Sequence, residues 1–320
     1  MIRMANVNNN NWMSLLVGQD IDPPLPQTVE EIPFVRQAMD FSSLNVDMPE
    51  IAKSETVEIR DKDGWKLVSE VYIPKGTGPF PVILYMHGGG WCVGSSEGVR
   101  RKTMRLAEKG FVVFNLEYSL APERPFPNAP EDVVYAARWI AKNAQDFKGD
   151  PAKMIISGDS AGANLSAVAI HILHGDKQAV DGSDLSDIKV NFSGALLYYG
   201  VFDFPLMIQD PLSNSGYVEV WFTRAYLGPN YLSKIQNPLV SPVFSPYIDK
   251  FPPCYLVCGD QDSLLSNTLS MTKTLTSHNV HTTVSIPGGF DHTFDYVEHK
   301  IEGVTPEIER IISWLKSVTS

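Results

Sequence analysis

One serine in this chain has neighbours that could make it a nucleophile. Ser160 lies in ISGDSAGANL (156–165), inside the pattern Gly158-Asp159-Ser160-Ala161-Gly162. A serine attacks a carbonyl only when a base takes its proton and a third group orients that base. The G-x-S-x-G spacing suits a strand that turns directly into a helix. Such a turn strains the serine backbone, lifts its hydroxyl above the sheet edge and leaves no room for a side chain at either glycine. The helix start adds partial positive charge beside that hydroxyl. Two other glycine-rich readings fail on spacing, because neither a G-x-x-x-x-G-K-[ST] phosphate loop nor a G-x-G-x-x-G dinucleotide loop is present here.

A second glycine cluster, His87-Gly88-Gly89-Gly90-Trp91, follows the apolar run PVILYMH (81–87). Consecutive glycines let backbone N–H groups face a site unobstructed. Two such donors, with the N–H of Ala161 after the nucleophile, would form an oxyanion hole. His87 precedes these donors and reads as a structural residue that holds the loop. In this arrangement the acid and then the histidine follow the serine, on loops after later strands. PCYLVCG (253–259) runs into Asp260 and Asp262, and HTTVSIPG (281–288) runs into His292. Asp291 is a further rival for the acid. His171, His174, His278, His281 and His299 fall on helices, strand starts or the last linker and read as structural.

The elements needed to position these groups are legible. SETVEIRD and WKLVSEVYIP alternate apolar and polar residues around Asp63-Gly64, a hairpin signal. Buried-strand runs then alternate with helical patterns. The strands are PVILYMH, FVVFNLEY, KMIISG, VNFSGALLYYG, PCYLVCG and VHTTVSIPG. The helices are GVRRKTMRLAEKG, APEDVVYAARWIAKNA, SAGANLSAVAIHILHG, LLSNTLSMTKTLTSHN and PEIERIISWLKSV. That alternation implies an α/β fold with a mostly parallel sheet covered by helices on both faces. Residues 1–53 read as a loosely attached helical arm and 54–320 as the catalytic domain. An aromatic, proline-rich insertion at 203–245 would join the arm as a cap over the sheet's carboxyl edge. DKQAVDGSDLSD (176–187) reads as a polar surface loop. Trp91, Trp221 and Phe222 are the pocket candidates, with Trp12 in the arm. VHTTVSI could be an edge strand that pairs with a second copy, so a homodimer is open.

Bulk properties set outer limits. The 320 residues are 43% hydrophobic and 20% charged, with a formal net charge of −11 and no block of like charges. Nucleic-acid binding needs a basic patch, so that class is disfavoured. The three cysteines, Cys92, Cys254 and Cys258, fit no zinc spacing. Four residues along a strand separate Cα atoms by about 13 Å, too far for a disulfide between Cys254 and Cys258. No stretch approaches the roughly 20 apolar residues of a membrane span, and MSLLVG is too short for a signal core. A cytoplasmic protein is the expectation.

Several stretches together resemble one family. HGGGW (87–91), YSLAPERPFPNAPED (118–132), GDSAGANL (158–165), SPVFSPYIDKFPPCYLVCGDQDSLL (241–265) and PGGFDHTF (287–294) look like the hormone-sensitive-lipase-like branch of the α/β-hydrolases, a group of serine carboxylesterases. The resemblance covers roughly residues 54 to 318. It implies cleavage of short- to medium-chain carboxylic esters through an acyl-enzyme, with no metal or organic cofactor. It implies Asp262 over Asp260, because Asp262-Ser263-Leu264 fits the family's D-x-L. It implies Gly89 and Gly90 as loop donors beside Ala161, with Gly88 the weaker candidate. The chain departs from the family at Ser119 (usually Arg), Ser263 (usually Pro) and Thr293 (usually Gly), and LLYYG lacks a frequent proline. Loss of the arginine stem at 119 implies a turn that is harder to anchor. Cleavage of another acyl bond (acetyl, lactone or amide) would use the same machinery. A non-catalytic small-ligand receptor on this fold would typically lack the histidine that is present here.

Overall fold

The computed structural model describes residues 28–39, 41–175, 184–209, 217–301 and 303–320. Trp12 and most of the 176–187 loop lie outside them. Within the described part of the arm, α1 (Ile32–Ala38) buries Ile32 and Val35, and Met39, just after the helix, is buried too. This segment is docked rather than loosely attached, because its apolar residues recur at helical spacing and Arg36 adds polar anchors. The guanidinium donates to the Cys92 carbonyl and, at 2.7 Å, to the Ala121 carbonyl, and pairs with Glu123.

Strands β1 (Lys53–Lys62) and β2 (Trp65–Ile73) form an antiparallel hairpin. Its turn residues, Asp63 and Gly64, have φ of 55° and 81°, as a two-residue primed turn requires. The chain continues through β3 (Phe80–Met86), α2 (Arg100–Glu108), β4 (Val112–Glu117), α3 (Asn128–Asn143) and β5 (Gly149–Asp159). After β5 come α4 (Ala161–His174), β6 (Phe192–Tyr198), α5 (Phe204–Gln209) and α6 (Tyr217–Leu227). The series closes with β7 (Cys254–Val257), α7 (Leu265–Ser277), β8 (Thr282–Ser285) and α8 (Val304–Val318).

The eight strands form one sheet in the order β1-β2-β4-β3-β5-β6-β7-β8. β2 pairs antiparallel with β1 and β4, and every pair from β4 to β8 is parallel. This is the α/β architecture expected from the alternation of patterns. Val82, Ile83 and Leu84 of β3 are wholly buried, as a strand covered on both faces requires. Each such side chain contributes about 1.5–3 kcal/mol. The strand order reverses between β3 and β5, because β4 lies on one side of β3 and β5 on the other. The carboxyl ends of strands at such a reversal are where open α/β sheets place ligands. The glycine loop follows β3 there, and Ser160 follows β5.

Asn164 of α4 donates to the carbonyls of Val201 (2.7 Å) and Val240 (2.8 Å), near the two ends of the 203–245 insertion. Asn267 Oδ1 accepts the Phe202 and Asp203 N–H groups. The insertion is therefore pinned at its roots by buried side-chain amides.

Candidate active site

Ser160 has φ 52° and ψ −116°, a conformation that ordinary residues avoid. The surroundings over-determine it. Its N–H donates to the Tyr198 carbonyl at 2.9 Å, and its carbonyl accepts the Asn164 N–H as α4 begins. A Cβ on Gly162 would lie 2.1 Å from the Met86 carbonyl oxygen, and one on Gly158 would lie 2.5 Å from Gly162. Both glycines are thus required by close backbone approach, the reason their spacing suggested.

The glycine loop packs against this turn. A Cβ on Gly88 would meet Asp159 Oδ2 at 2.4 Å and the Ser160 Cβ at 3.3 Å. Gly89 and Gly90 have φ of 118° and 57°. The Gly89 carbonyl turns back into the loop and accepts the N–H groups of Cys92 and Val93. His87 is buried, stacks on Tyr118 at 4.4 Å between ring centroids, and approaches the Gly88 carbonyl through Nδ1 at 2.7 Å.

His292 lies on the loop after β8. Its Nδ1 is 2.9 Å from Asp262 Oδ2, while Asp262 Oδ1 accepts the Leu264 N–H at 2.8 Å. Asp260 is exposed and accepts the Gly289 N–H, and Asp291 accepts the N–H of His292 itself. Of the three carboxylates, Asp262 meets the imidazole ring, and Asp260 and Asp291 accept backbone N–H groups. The His292 ring packs edge-on to Tyr199 at 4.7 Å, one residue beyond the carbonyl that holds Ser160. Burial alone would push the imidazole pKa down. The charge and hydrogen bond of Asp262, with Asp291 and Asp159 behind them, outweigh burial and raise it. Burial, opposed by the His292 N–H, raises the Asp291 carboxyl.

Two of the three aromatic pocket candidates sit elsewhere than expected. Trp91, at φ 61°, is only 2% exposed and stacks on Tyr226 (4.7 Å) and Phe204 (5.3 Å). It fastens the insertion to the glycine loop instead of facing open space, because its left-handed backbone turns the ring into the core. Trp221 lines a groove of ≈ 490 Å³ with Thr28, Val29, Pro122 and Arg224, and neither Ser160 nor His292 lines it. Phe222 does reach the loop: a Cβ on Gly90 would lie 2.2 Å from its ring.

A family model described as alpha/beta hydrolase fold matches residues 83–296, two thirds of the chain. The chain belongs to the α/β-hydrolase-fold family. It falls in the hormone-sensitive-lipase-like branch of that family. Carboxylic ester hydrolase LipN of Mycobacterium tuberculosis is 29% identical over 233 residues, 70% of this hydrolase-fold chain and 59% of LipN. Carboxylesterase NlhH of the same species is 42% identical over 91 residues, 28% of each protein. The matches therefore span less than two thirds of these two relatives. AB hydrolase superfamily protein C1039.03 of Schizosaccharomyces pombe is 30% identical over 234 residues, 70% of this chain and 67% of that protein. The fold is shared with the hyperthermophilic esterase of the archaeon Pyrobaculum calidifontis. The TM-score is 0.78 at 24% identity, covering 97% of this chain and 96% of that one.

The family's departures acquire explanations in this hydrolase-fold chain. Ser119 does not leave its turn unanchored. Its N–H (2.9 Å) and hydroxyl both donate to the buried Asp132 Oδ2, and Arg60 from β1 pairs with Asp132 Oδ1. Arg124 donates to the Ser119 hydroxyl at 3.0 Å. The positive charge is supplied from elsewhere in the chain, a substitution invisible to local reading. Thr293 takes the left-handed conformation (φ 59°, ψ 22°) that a glycine would adopt without strain, and its hydroxyl donates to the His292 carbonyl at 2.7 Å. Cys92, Cys254 and Cys258 are all buried, and burial raises each thiol pKa, so none is a ready nucleophile.

Local reading also missed a polar cluster behind the serine. It comprises Lys102, Asp159, Asp295 and four tyrosines. One signal for it existed. Lys102 follows Val99 by three and precedes Leu106 by four, which places a cation on the buried stripe of an amphipathic helix.

Proposed function

We propose that this chain is a serine hydrolase that cleaves carboxylic esters of short to medium acyl chain through an acyl-enzyme. The reading rests above all on the 2.9 Å contact between His292 Nδ1 and Asp262 Oδ2, beside a serine held in a strained turn at a helix N-terminus. Ser160 Oγ attacks the ester carbonyl while His292 Nε2 takes its proton. Asp262 engages Nδ1, which fixes the tautomer and stabilises the imidazolium. The N–H groups of Gly89, Gly90 and Ala161 receive the developing oxyanion, and loss of one such donor typically costs about 10²–10³ in rate. His292 then protonates the leaving alcohol, and water cleaves the acyl group by the reverse path. Phe222, packed on Gly90, is the aromatic residue we assign to the acyl pocket, with Trp91 as its support. The arm and the 203–245 insertion act as the cap.

Among the described residues no helix is long and apolar enough to cross a membrane. We place the protein in the cytoplasm. Strand β8, at the sheet edge, is the surface through which a homodimer would form. The relatives' names, carboxylic ester hydrolase and carboxylesterase, support the choice of an ester over an amide or lactone.

The test is hydrolysis of p-nitrophenyl esters from acetate to dodecanoate by wild type and Ser160→Ala. The expected result is a maximum at short or medium chains and a kcat loss on the order of 10⁶ in the variant. A folded wild type that hydrolyses none of them, and whose Ser160 resists a fluorophosphonate, would be a binding protein instead.

A further inference from the structure

Behind Ser160 and His292 lies a buried charged cluster that ester hydrolysis does not itself demand. The Lys102 side chain is 7% exposed and enters from α2. Its Nζ lies 2.5 Å from Asp295 Oδ2 and 3.7 Å from Asp159 Oδ1, and both carboxylates are fully buried. Asp159 immediately precedes Ser160, and Asp295 follows His292 by three residues. Around the ammonium stand Tyr85 of β3, Tyr198 of β6, Tyr199 beyond it and Tyr296 next to Asp295. The Tyr198 ring is the nearest, with its centroid 3.8 Å from Nζ. Tyr85 and Tyr296 donate their hydroxyls to Asp159, and Tyr199 donates to Asp295. Burial first, and then the carboxylate charges, push all four phenols up, so they remain neutral.

Stability alone does not account for such a cluster, because replacing a buried ion pair by apolar groups of similar volume is often neutral or stabilising. Its placement supplies another reason. The three ions join the residue before the nucleophile to the loop of the base, and Tyr199 touches both that loop's Asp295 and the His292 ring. We propose that Lys102 is a positioning residue. Through Asp159 and Asp295 it fixes the Ser160 turn against the His292 loop, and its charge offsets carboxylates that face the imidazole. Those facing groups are Asp262, Asp291 and Asp159. Tyr199, opposite the ring, stays neutral. The inference rests on the serine-hydrolase reading.

The test uses the full chain as wild type, Lys102→Met and the double variant Lys102→Met/Asp295→Asn. The rate of Ser160 labelling by a fluorophosphonate is followed from about pH 5 to about pH 9, across the histidine range. kcat and KM are measured separately with p-nitrophenyl butyrate. Lys102→Met should label about ten- to a hundredfold more slowly, with kcat reduced, KM little changed and the half-rate pH moved upward. The double variant removes one charge of each sign together, so it should fold like wild type and keep the wild-type half-rate pH. It should still label about tenfold more slowly, because the tie between the two loops is gone. If Lys102→Met does not fold, the double variant decides. Wild-type labelling rates and kcat in either folded variant overturn the proposal. A folded but unlabelled wild type overturns the hydrolase reading, and this inference with it.

Discussion

Ser160 sits at φ 52° and ψ −116°, and Thr293, next to His292, sits at φ 59° and ψ 22°. Both are backbone conformations that side-chain-bearing residues rarely adopt, yet the two regions hold them by different means. The serine turn is held by packing. Gly158 and Gly162 let β3, β5 and α4 meet at distances no Cβ permits, and the first dozen residues of α4 are all buried. The histidine loop is held by polar contacts, from Asp262 to the ring, from Asp260 to the Gly289 N–H and from Lys102 to Asp295. A serine held by close-packed backbone has little freedom. A histidine held by hydrogen bonds can turn slightly as protons move, and it titrates with its surroundings.

The largest effect expected from this contrast is chemical, on the polar side. Asp262→Asn should lower kcat by about 10⁴ with the fold intact, because the imidazole would be held in the wrong tautomer. Asp260→Asn should stay within about twofold of wild type, since Asp260 is exposed and bonds a loop N–H instead of the ring. Equal losses in the two variants, in steady-state assays, would mean that the ring contact does not select the acid. Next comes the packed side. In Gly162→Ala the new Cβ would lie 2.1 Å from the Met86 carbonyl oxygen, and backbone cannot yield as a side-chain tip can. Urea unfolding should show a loss of about 3 kcal/mol or more. A loss below about 1 kcal/mol would show that the turn is less tightly packed than the distances imply.

A smaller effect concerns protons. The imidazole pKa is raised above its ordinary value of about 6.5, so kcat/KM should fall on the acid side with a midpoint above that value. The sign for stability is opposite to that for activity. A raised folded-state pKa means that charged His292 favours the folded state. That contribution is fully present below the ordinary pKa and is lost as pH rises through the raised one. The stability gap between wild type and His292→Gln should therefore narrow as pH rises, and a gap constant across that interval would contradict the raised value. The smallest effect should come from Thr293→Gly. Relief of left-handed strain favours glycine by about 1 kcal/mol, against the lost hydroxyl bond to the His292 carbonyl and the entropy of glycine. A modest rise in the urea midpoint is expected. A fall would mean that the hydroxyl bond outweighs the strain.

The two regions also differed in how readily they could be read. The serine turn was legible because close backbone approach demands glycine, and glycine is visible in a sequence at fixed offsets from Ser160. The strand and helix order was legible for a similar reason, since burial on both faces leaves continuous apolar runs such as PVILYMH. In the histidine loop local pattern left Asp260, Asp262 and Asp291 as alternatives. They differ in where a side chain points, and spacing does not encode that. Trp91 looked like a pocket residue because aromatic type says nothing about a left-handed backbone that turns the ring inward. Ser119 looked like a lost anchor because Arg60 and Arg124 supply the missing charge from other positions.

The sequence by itself determined the sheet-and-helix order, the strained turn at Ser160, the glycine loop after β3 and the neighbourhood of His292. Each follows from short-range constraints: backbone sterics, periodicity and strand-to-loop spacing. Only the tertiary structure decided which carboxylate meets the imidazole and that α1 docks on the glycine loop through Arg36. It alone brought Lys102 between Asp159 and Asp295, which lie 136 residues apart in the numbering. These are contacts between side chains from distant strands and loops. Their energies depend on burial and direction, and those exist only once the sheet has brought the segments together.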